Sequence, residues 1–155
     1  MMRLGVVSDS HGKKDTMLLL TEKIGKVDAW IHLGDFAEDS KHLNGAPVYA
    51  IKGNCDFTSK YELEQVLTFE QVRIFITHGN KYSPTYDRSM LSYKAEELNC
   101  QVALYGHTHI SSVEFCGGVL VVNPGSPTSP RGGQRPSAAV LEINGKDAYA
   151  SIVVL

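Results

Sequence analysis

Cysteine is scarce in this chain. Only Cys55, Cys100 and Cys116 occur among 155 residues, an odd number without zinc-ribbon spacing. That excludes a disulfide framework and suits a reducing compartment, so we expect a cytoplasmic protein. Long apolar runs are missing too. The longest reach roughly four or five residues, against the ~20 that a helix needs to cross a bilayer, so we expect no membrane association. The opening segment Met1–Val7 stops at Ser8-Asp9 before the apolar core of a signal peptide can form. A basic excess is also absent: 15 Lys and Arg face 17 Asp and Glu, for a net charge of −2. Such a chain has no reserve of cations to displace counterions along a long nucleic acid. A small phosphate ester stays open as a partner. There is neither an internal repeat nor a low-complexity tail.

What is present is a globular composition, 43% hydrophobic and 21% charged. A chain of this length is expected to form one domain over residues 1–155 and to remove roughly two-thirds of its surface from water. Self-association into a homo-oligomer is left open.

The pattern begins as strand, helix, strand. Leu4–Ser8 is a short apolar run ending in a polar loop. Asp15–Gly25 reads as a helix, with Met17, Leu20 and Ile24 on one face and Gly25 as its stop. Ala29–Leu33, Val48–Lys52, Val72–Thr77 and Val102–Tyr105 read as further strands. Glu38–Asn44 reads as a short helix and Tyr86–Leu98 as a longer one. Gly117-Gly118 and Asn144-Gly145 each sit between apolar runs, the signature of tight hairpins. The first half thus predicts parallel α/β pairing, and the second adds antiparallel strands. Pro124–Pro136, rich in Pro, Gly and Ser, reads as a loop long enough to have a role in function.

Polar side chains able to bind metals stand where these strands end. They are Asp9 and His11, Asp35 after Gly34, Asn54 after Gly53, His78 before Gly79, and His107 and His109 after Gly106. Ligand sites in α/β sheets form at carboxyl ends of strands. Each residue also has an ordinary reading alone: a turn acid, a surface histidine, a helix N-cap at Asp35, a left-handed turn at Asn54. Five strand ends delivering carboxylate, imidazole or amide to one region are hard to explain as packing. His107-Thr108-His109 is the sharpest element, because alternate residues of an extended segment can converge on a pair of metals. Imidazole, carboxylate and amide oxygen suit manganese, iron, zinc, cobalt or nickel, whereas calcium takes an all-oxygen shell.

These motifs, Asp9-x-His11, Gly34-Asp35, Gly53-Asn54-Cys55-Asp56, His78 and Gly106-His107-x-His109, resemble the calcineurin-like metallophosphoesterases. More narrowly they resemble the small bacterial and archaeal phosphodiesterases of that superfamily, as do Asn123-Pro124-Gly125-Ser126 and Pro130-Arg131-Gly132-Gly133. The resemblance runs from residue 4 to about residue 143. It implies an α/β fold, a four-layer α/β/β/α sandwich of two mixed sheets. It implies two divalent metal ions, manganese first among the candidates. Asp9, His11 and His109 would hold one ion, Asn54, His78 and His107 the other, and Asp35 would bridge them. The implied activity is hydrolysis of phosphodiesters by a hydroxide bridging the two metals. Alternatives within the fold are a phosphomonoesterase or a nuclease, and, in another class, a non-catalytic scaffold that binds partner proteins.

Two divalent ions ~4 Å apart repel, and a shared carboxylate is a direct way to hold them together. With Asp9, Asp35 and a hydroxide counted, such a centre keeps about one positive charge, which favours an anionic ester. Cys55 stands where much of the superfamily carries the histidine taken to protonate the leaving oxygen, and a thiol is a weaker donor. Cys55 and Asp56 are the candidate catalytic residues. Asn54, Gly125, Ser126 and Arg131 are the candidate substrate contacts, with Arg131 able to pair with a phosphate. Glu38 replaces an Asp common in relatives three residues after the bridging position. His32 has two readings, donor to a ligand carboxylate or structural strand-end histidine. Arg135 could meet substrate, a subunit contact or solvent.

Overall fold

The computed structural model describes residues 1–57 and 60–155. Strand β1 (Met2–Val7) lies at the centre of one sheet, parallel to β2 (Ala29–His32), which is parallel in turn to β3 (Val48–Ala50). On its other side β1 pairs antiparallel with β9 (Ser137–Asn144), and β9 with β10 (Asp147–Val154). The second sheet runs β4 (Glu64–Phe69), β5 (Val72–Thr77), β6 (Val102–Leu104), β8 (Val119–Asn123), β7 (Ser112–Cys116). Strands β5, β6 and β8 are parallel, and the edge strands β4 and β7 are antiparallel. Both sheets are therefore mixed.

Alternation along the strands decides the layers. Leu4, Val6, Ile31, Leu141 and Ile143 face Ile74, Ile76, Leu104 and Val122 across a core between the sheets. The opposite faces take one helix each. Helix α1 (Lys14–Ile24) buries Met17, Leu20 and Ile24, a helical stripe, against Val7, Trp30 and Val140. Helix α2 (Ser89–Glu97) buries Leu91 and Ala95 against Phe75, Ala103 and Val121. The result is α1, sheet, sheet, α2, as expected. Each fully buried aliphatic side chain here contributes roughly 1.5–3 kcal/mol of transfer free energy.

Three expectations need correction. Glu38–Asn44 is not an α-helix but a 3-10 segment, Ala37–His42, entered through Phe36 in the left-handed region at φ 68°. Helix α2 starts at Ser89 rather than near Tyr86, because Asp87 Oδ1 accepts the backbone N–H of Ser89 at 2.9 Å and its hydroxyl at 2.7 Å. That side-chain turn competes with a helical start. Parallel pairing is not confined to the first half. It is divided between the two sheets, and β4, half-polar and at an edge, is a strand that the apolar pattern did not mark.

Candidate metal centre

Five chain segments leave the carboxyl ends of β1, β2, β3, β5 and β6 at the same end of the sandwich, and each delivers a polar side chain. Asp9, His11, Asp35 and His109 offer ligand atoms that all lie within 4.8 Å of one another. His109 Nε2 is 3.3 Å from Asp9 Oδ1 and 3.4 Å from His11 Nε2. His78 Nε2 joins from β5, 3.4 Å from Asp35 Oδ2 and 3.7 Å from Asp9 Oδ1. Asn54 and His107 meet at the rim, with Asn54 Oδ1 3.3 Å from His107 Nδ1, and the His107 ring lies 5.4 Å from that of His78. All seven residues named from the sequence thus occupy one end of the molecule.

The backbone reaches this geometry at a cost. Asp9, His11, Asp35, His107 and His109 all have φ between 54° and 70°. Each such non-glycine residue costs about 1 kcal/mol or more, and it persists only where surrounding contacts hold it. Those contacts are specific. Ser126 donates its hydroxyl to the Asp9 carbonyl at 2.8 Å, and Thr128 donates to the Ser10 carbonyl at 3.1 Å. Asp9 Oδ2 accepts from Ser8 Oγ at 2.8 Å and from the His107 N–H at 3.1 Å. Asn123, fully buried, donates to the Gly106 carbonyl and to Thr108 Oγ1 and accepts the Gly125 N–H. Gly106 has no room for a side chain, since a Cβ there would collide with Ser8 Oγ and Asp9 Oδ2.

Two of the imidazoles are held in a fixed tautomer. His78 Nδ1–H donates to the Leu33 carbonyl at 2.8 Å, and His109 Nδ1–H to the Ser129 carbonyl at 2.7 Å. Both leave the Nε2 lone pair aimed at the carboxylates, the arrangement that metal-binding histidines use. Among the described residues, Asp9 Oδ1 and His78 Nε2 are buried polar atoms without a hydrogen-bond partner. A buried polar atom left unpaired costs roughly 1–3 kcal/mol. Two such atoms converging beside Asp35 fit a cation that would engage both. The donors present therefore suit a divalent metal bound by carboxylate and imidazole.

Charges follow from the same geometry. Burial alone would raise the pKa of Asp35, but its contact with His78 and the Cys55 N–H, 2.9 Å from Asp35 Oδ1, hold it well below the usual carboxylate range. Burial would lower His78, yet Asp35 and Asp9 outweigh it and raise its pKa. His109 is raised mainly by its contact with Asp9. His107 is lowered, by burial and then by His78.

Around this cluster the remaining candidates divide. Cys55 is exposed, and burial followed by the Asp35 charge pushes its thiol pKa up, so it stays protonated. Asp56 uses both oxygens on backbone: Oδ2 accepts the N–H groups of Asp35 and Gly53, and Oδ1 those of Phe36 and Ala37, all at 2.8–2.9 Å. It ties the Asp35 loop to the Asn54 loop. Gly125 commits its N–H to Asn123, and Ser126 is fully buried beneath Asp9. Arg131 is exposed, and its backbone N–H reaches the His109 carbonyl at 3.0 Å. Arg135 turns to the Leu155 carbonyl.

Glu38 lies at the surface, 3.7 Å from Lys60. The buried acid is its neighbour Asp39, which the sequence reading passed over. Ser10 Oγ donates to Asp39 Oδ2 at 2.6 Å and accepts from His32 Nε2 at 2.9 Å, while His32 Nδ1 accepts the Gly34 N–H. The three residue types are those of a nucleophilic triad, but the serine proton points to the carboxylate and all three are buried. The chain of bonds links the Asp9 and Asp35 loops, and burial lowers the His32 pKa to about 4, so this histidine is neutral.

Comparison with known proteins follows the same lines. The profile described as calcineurin-like phosphoesterase superfamily domain matches residues 2–146. This chain belongs to that superfamily. Among its calcineurin-like relatives, the probable metallophosphoesterase YsnB of Bacillus subtilis is 34% identical over 143 residues, covering 92% of this chain and 85% of the relative. The phosphodiesterase YfcE of Escherichia coli is 31% identical over 170 residues, covering 92% and 88%. A crystal structure of a predicted phosphoesterase from Streptococcus pneumoniae superposes with a TM-score of 0.84 at 32% identity, covering 99% of this calcineurin-like chain and 89% of that one.

Proposed function

We propose that this calcineurin-like chain is a phosphoric ester hydrolase, a phosphodiesterase acting on small substrates in the cytoplasm with two divalent metal ions, manganese first. Asp9, His11 and His109 would hold one ion, Asn54, His78 and His107 the other, and Asp35 would lie between them. The observation that carries this reading is that Asp9 Oδ1 and His78 Nε2, buried and without a hydrogen-bond partner among the described residues, face each other across 3.7 Å beside Asp35. When bound, divalent ions at such a centre acidify water to near neutrality and neutralise charge on phosphoryl oxygens.

The chain's own residues do the rest. Leu33 and Ser129 carbonyls fix the His78 and His109 rings. Asp56 and Ser126 hold the Asp35 and Asp9 loops at their working separation. Arg131, exposed beside the His109 segment, is available to a phosphoryl oxygen. Cys55, a protonated and exposed thiol on the residue whose backbone N–H meets Asp35, would give the proton to a leaving alkoxide. It is a weak donor, so turnover is slow and favours leaving groups that depart without a proton.

The test is metal content together with hydrolysis of activated diesters and monoesters after loading with each of several metals. Diester turnover is expected to exceed monoester turnover. Full loading without turnover of any ester would overturn the enzymatic reading in favour of a protein-binding scaffold.

A further inference from the structure

The two sheets end in four edge strands, β10, β3, β4 and β7. An edge left open is a template for another chain. Three of the four are blunted. β3 has three residues and passes into a bridge between Ile51 and Glu62. β4 bears Glu64, and β7 bears Glu114 at its middle, where a two-fold pair would set that carboxylate against its own copy. β10 is different. It is eight residues long, and from Ala148 to Val154 it has no charge, no proline and no bulge.

The ladder identifies which of its backbone groups are free. The β9–β10 hairpin turns through two residues, Gly145 and Lys146, and so closes on the hydrogen-bonded pair Asn144–Asp147. Bonded and non-bonded pairs alternate from there. The Leu155 N–H on the Pro136 carbonyl, at 2.9 Å, fixes the same phase at the far end. Ala148, Ala150, Ile152 and Val154 therefore aim N–H and C=O away from β9. No strand lies beyond them, and among the described residues no other group bonds to these amides and carbonyls.

A second copy of the same strand satisfies all of them. In an antiparallel pair about a two-fold axis, the register that uses all four residues sets Ala148 opposite Val154 of the other copy and Ala150 opposite its Ile152. Ser151 then lies on the axis and faces itself. About eight hydrogen bonds result, and a shift by one bonded pair either way loses some of them. The side chains agree with this register, because directly opposite residues share a face. Ile152, packed against the core between the sheets, lies beside the small Ala150. Tyr149, exposed on the other face, lies beside Val153. Val154 of the second copy falls at Ala148, where Phe115, Leu120, Ala148 and Tyr149 line a groove of about 310 Å³. Val154 and Phe115 are both exposed in the single chain, and this pairing brings them together.

We propose that the β10 edge binds a second copy of this chain and joins two five-stranded sheets into one continuous sheet. The proposal is independent of the phosphodiesterase reading.

Crosslinking and sedimentation of the full chain test it. Ser151→Cys with oxidised glutathione is expected to give a covalent dimer whose disulfide maps to position 151 in both copies. Residues facing in a non-bonded pair have Cα atoms ~4.5 Å apart, within disulfide reach. Tyr149→Cys stands opposite position 153 and should give no 149–149 disulfide. Ala150→Pro removes an outward N–H that β9 does not use, which an edge strand tolerates. It should weaken dimerisation at least tenfold in sedimentation equilibrium, with the thermal midpoint of dilute protein nearly unchanged. Without any substitution, the amides of Ala148, Ala150, Ile152 and Val154 should exchange more slowly as protein concentration rises. A chain that sediments as a monomer even at millimolar concentration would overturn the proposal. So would a dimer in which Ser151→Cys forms no 151–151 disulfide and Ala150→Pro associates as the unsubstituted chain does.

Discussion

The two ends of the sandwich solve the same problem differently. At the end away from the metal centre, hairpins turn through Gly117-Gly118 and Gly145, where left-handed backbone is open to glycine without strain, although Glu70 and Asn99 also take positive φ there. At the other end the same backbone region is occupied by Asp9, His11, Asp35, His107 and His109. Glycine would be more stable at those positions but would remove the donors. The difference marks which end is built for chemistry, because strain is retained where a side chain cannot be given up.

Several substitutions test that contrast. The largest effect is expected for Asp35→Asn, which keeps the shape and removes the charge shared by both proposed ions. Hydrolysis should fall by roughly 1,000-fold or more. Substantial activity in a metal-titrated sample would contradict its central place. Next is a matched pair. Gly106→Ala drives a methyl into Ser8 and Asp9 and should cost about 2 kcal/mol of stability and most of the metal affinity. Gly145→Ala meets open space at φ 64°, so denaturant midpoints should show a loss of only about 1 kcal/mol, with metal affinity unchanged. Similar metal affinities in the two variants would erase the distinction between the ends.

A pH series on metal-free protein comes third. His32 is neutral when folded, its pKa lowered by burial to about 4 from 6.5. Between those values the unfolded chain holds the extra proton. The contribution is therefore whole above pH 6.5 and is lost as pH falls through about 4, at most about 3 kcal/mol. His78 and His109 run the other way, since their raised pKa values give stability that fades as pH rises. Comparison with His32→Gln subtracts them, and the acid-side loss should be smaller in the variant. Parallel profiles would refute the assignment. The smallest effect is a ratio. Cys55→His should speed hydrolysis of alkyl esters severalfold more than activated aryl esters, and equal acceleration would remove Cys55 from proton donation.

Much of this was legible in the sequence because strand and ligand sit side by side in it. Apolar runs ending in Ser8-Asp9, Gly34-Asp35 and Thr77-His78 announce both a buried strand and what it delivers. Strand β4 was not legible: its Glu64, Gln65 and Thr68 give an edge strand little apolar contrast. The division into two sheets was legible only through the family resemblance, since pairing partners depend on contacts far apart in the chain. Asp39 escaped because it is buried by a 3-10 turn, where a helix would have presented Glu38 differently. Asp56 reads from the sequence as a catalytic candidate, whereas in the structure four backbone amide groups engage its two oxygens.

Strand β1 also has a consequence in time. Its antiparallel neighbour, β9, starts at residue 137, and the hydroxyl supporting the Asp9 carbonyl arrives with residue 126. A ribosome must therefore reach β9 before β1 can be completed, and the ligands that follow β1 wait for segments far behind them in the chain. A chain halted midway would bear its aspartates on an unfinished sheet, unable to retain an ion.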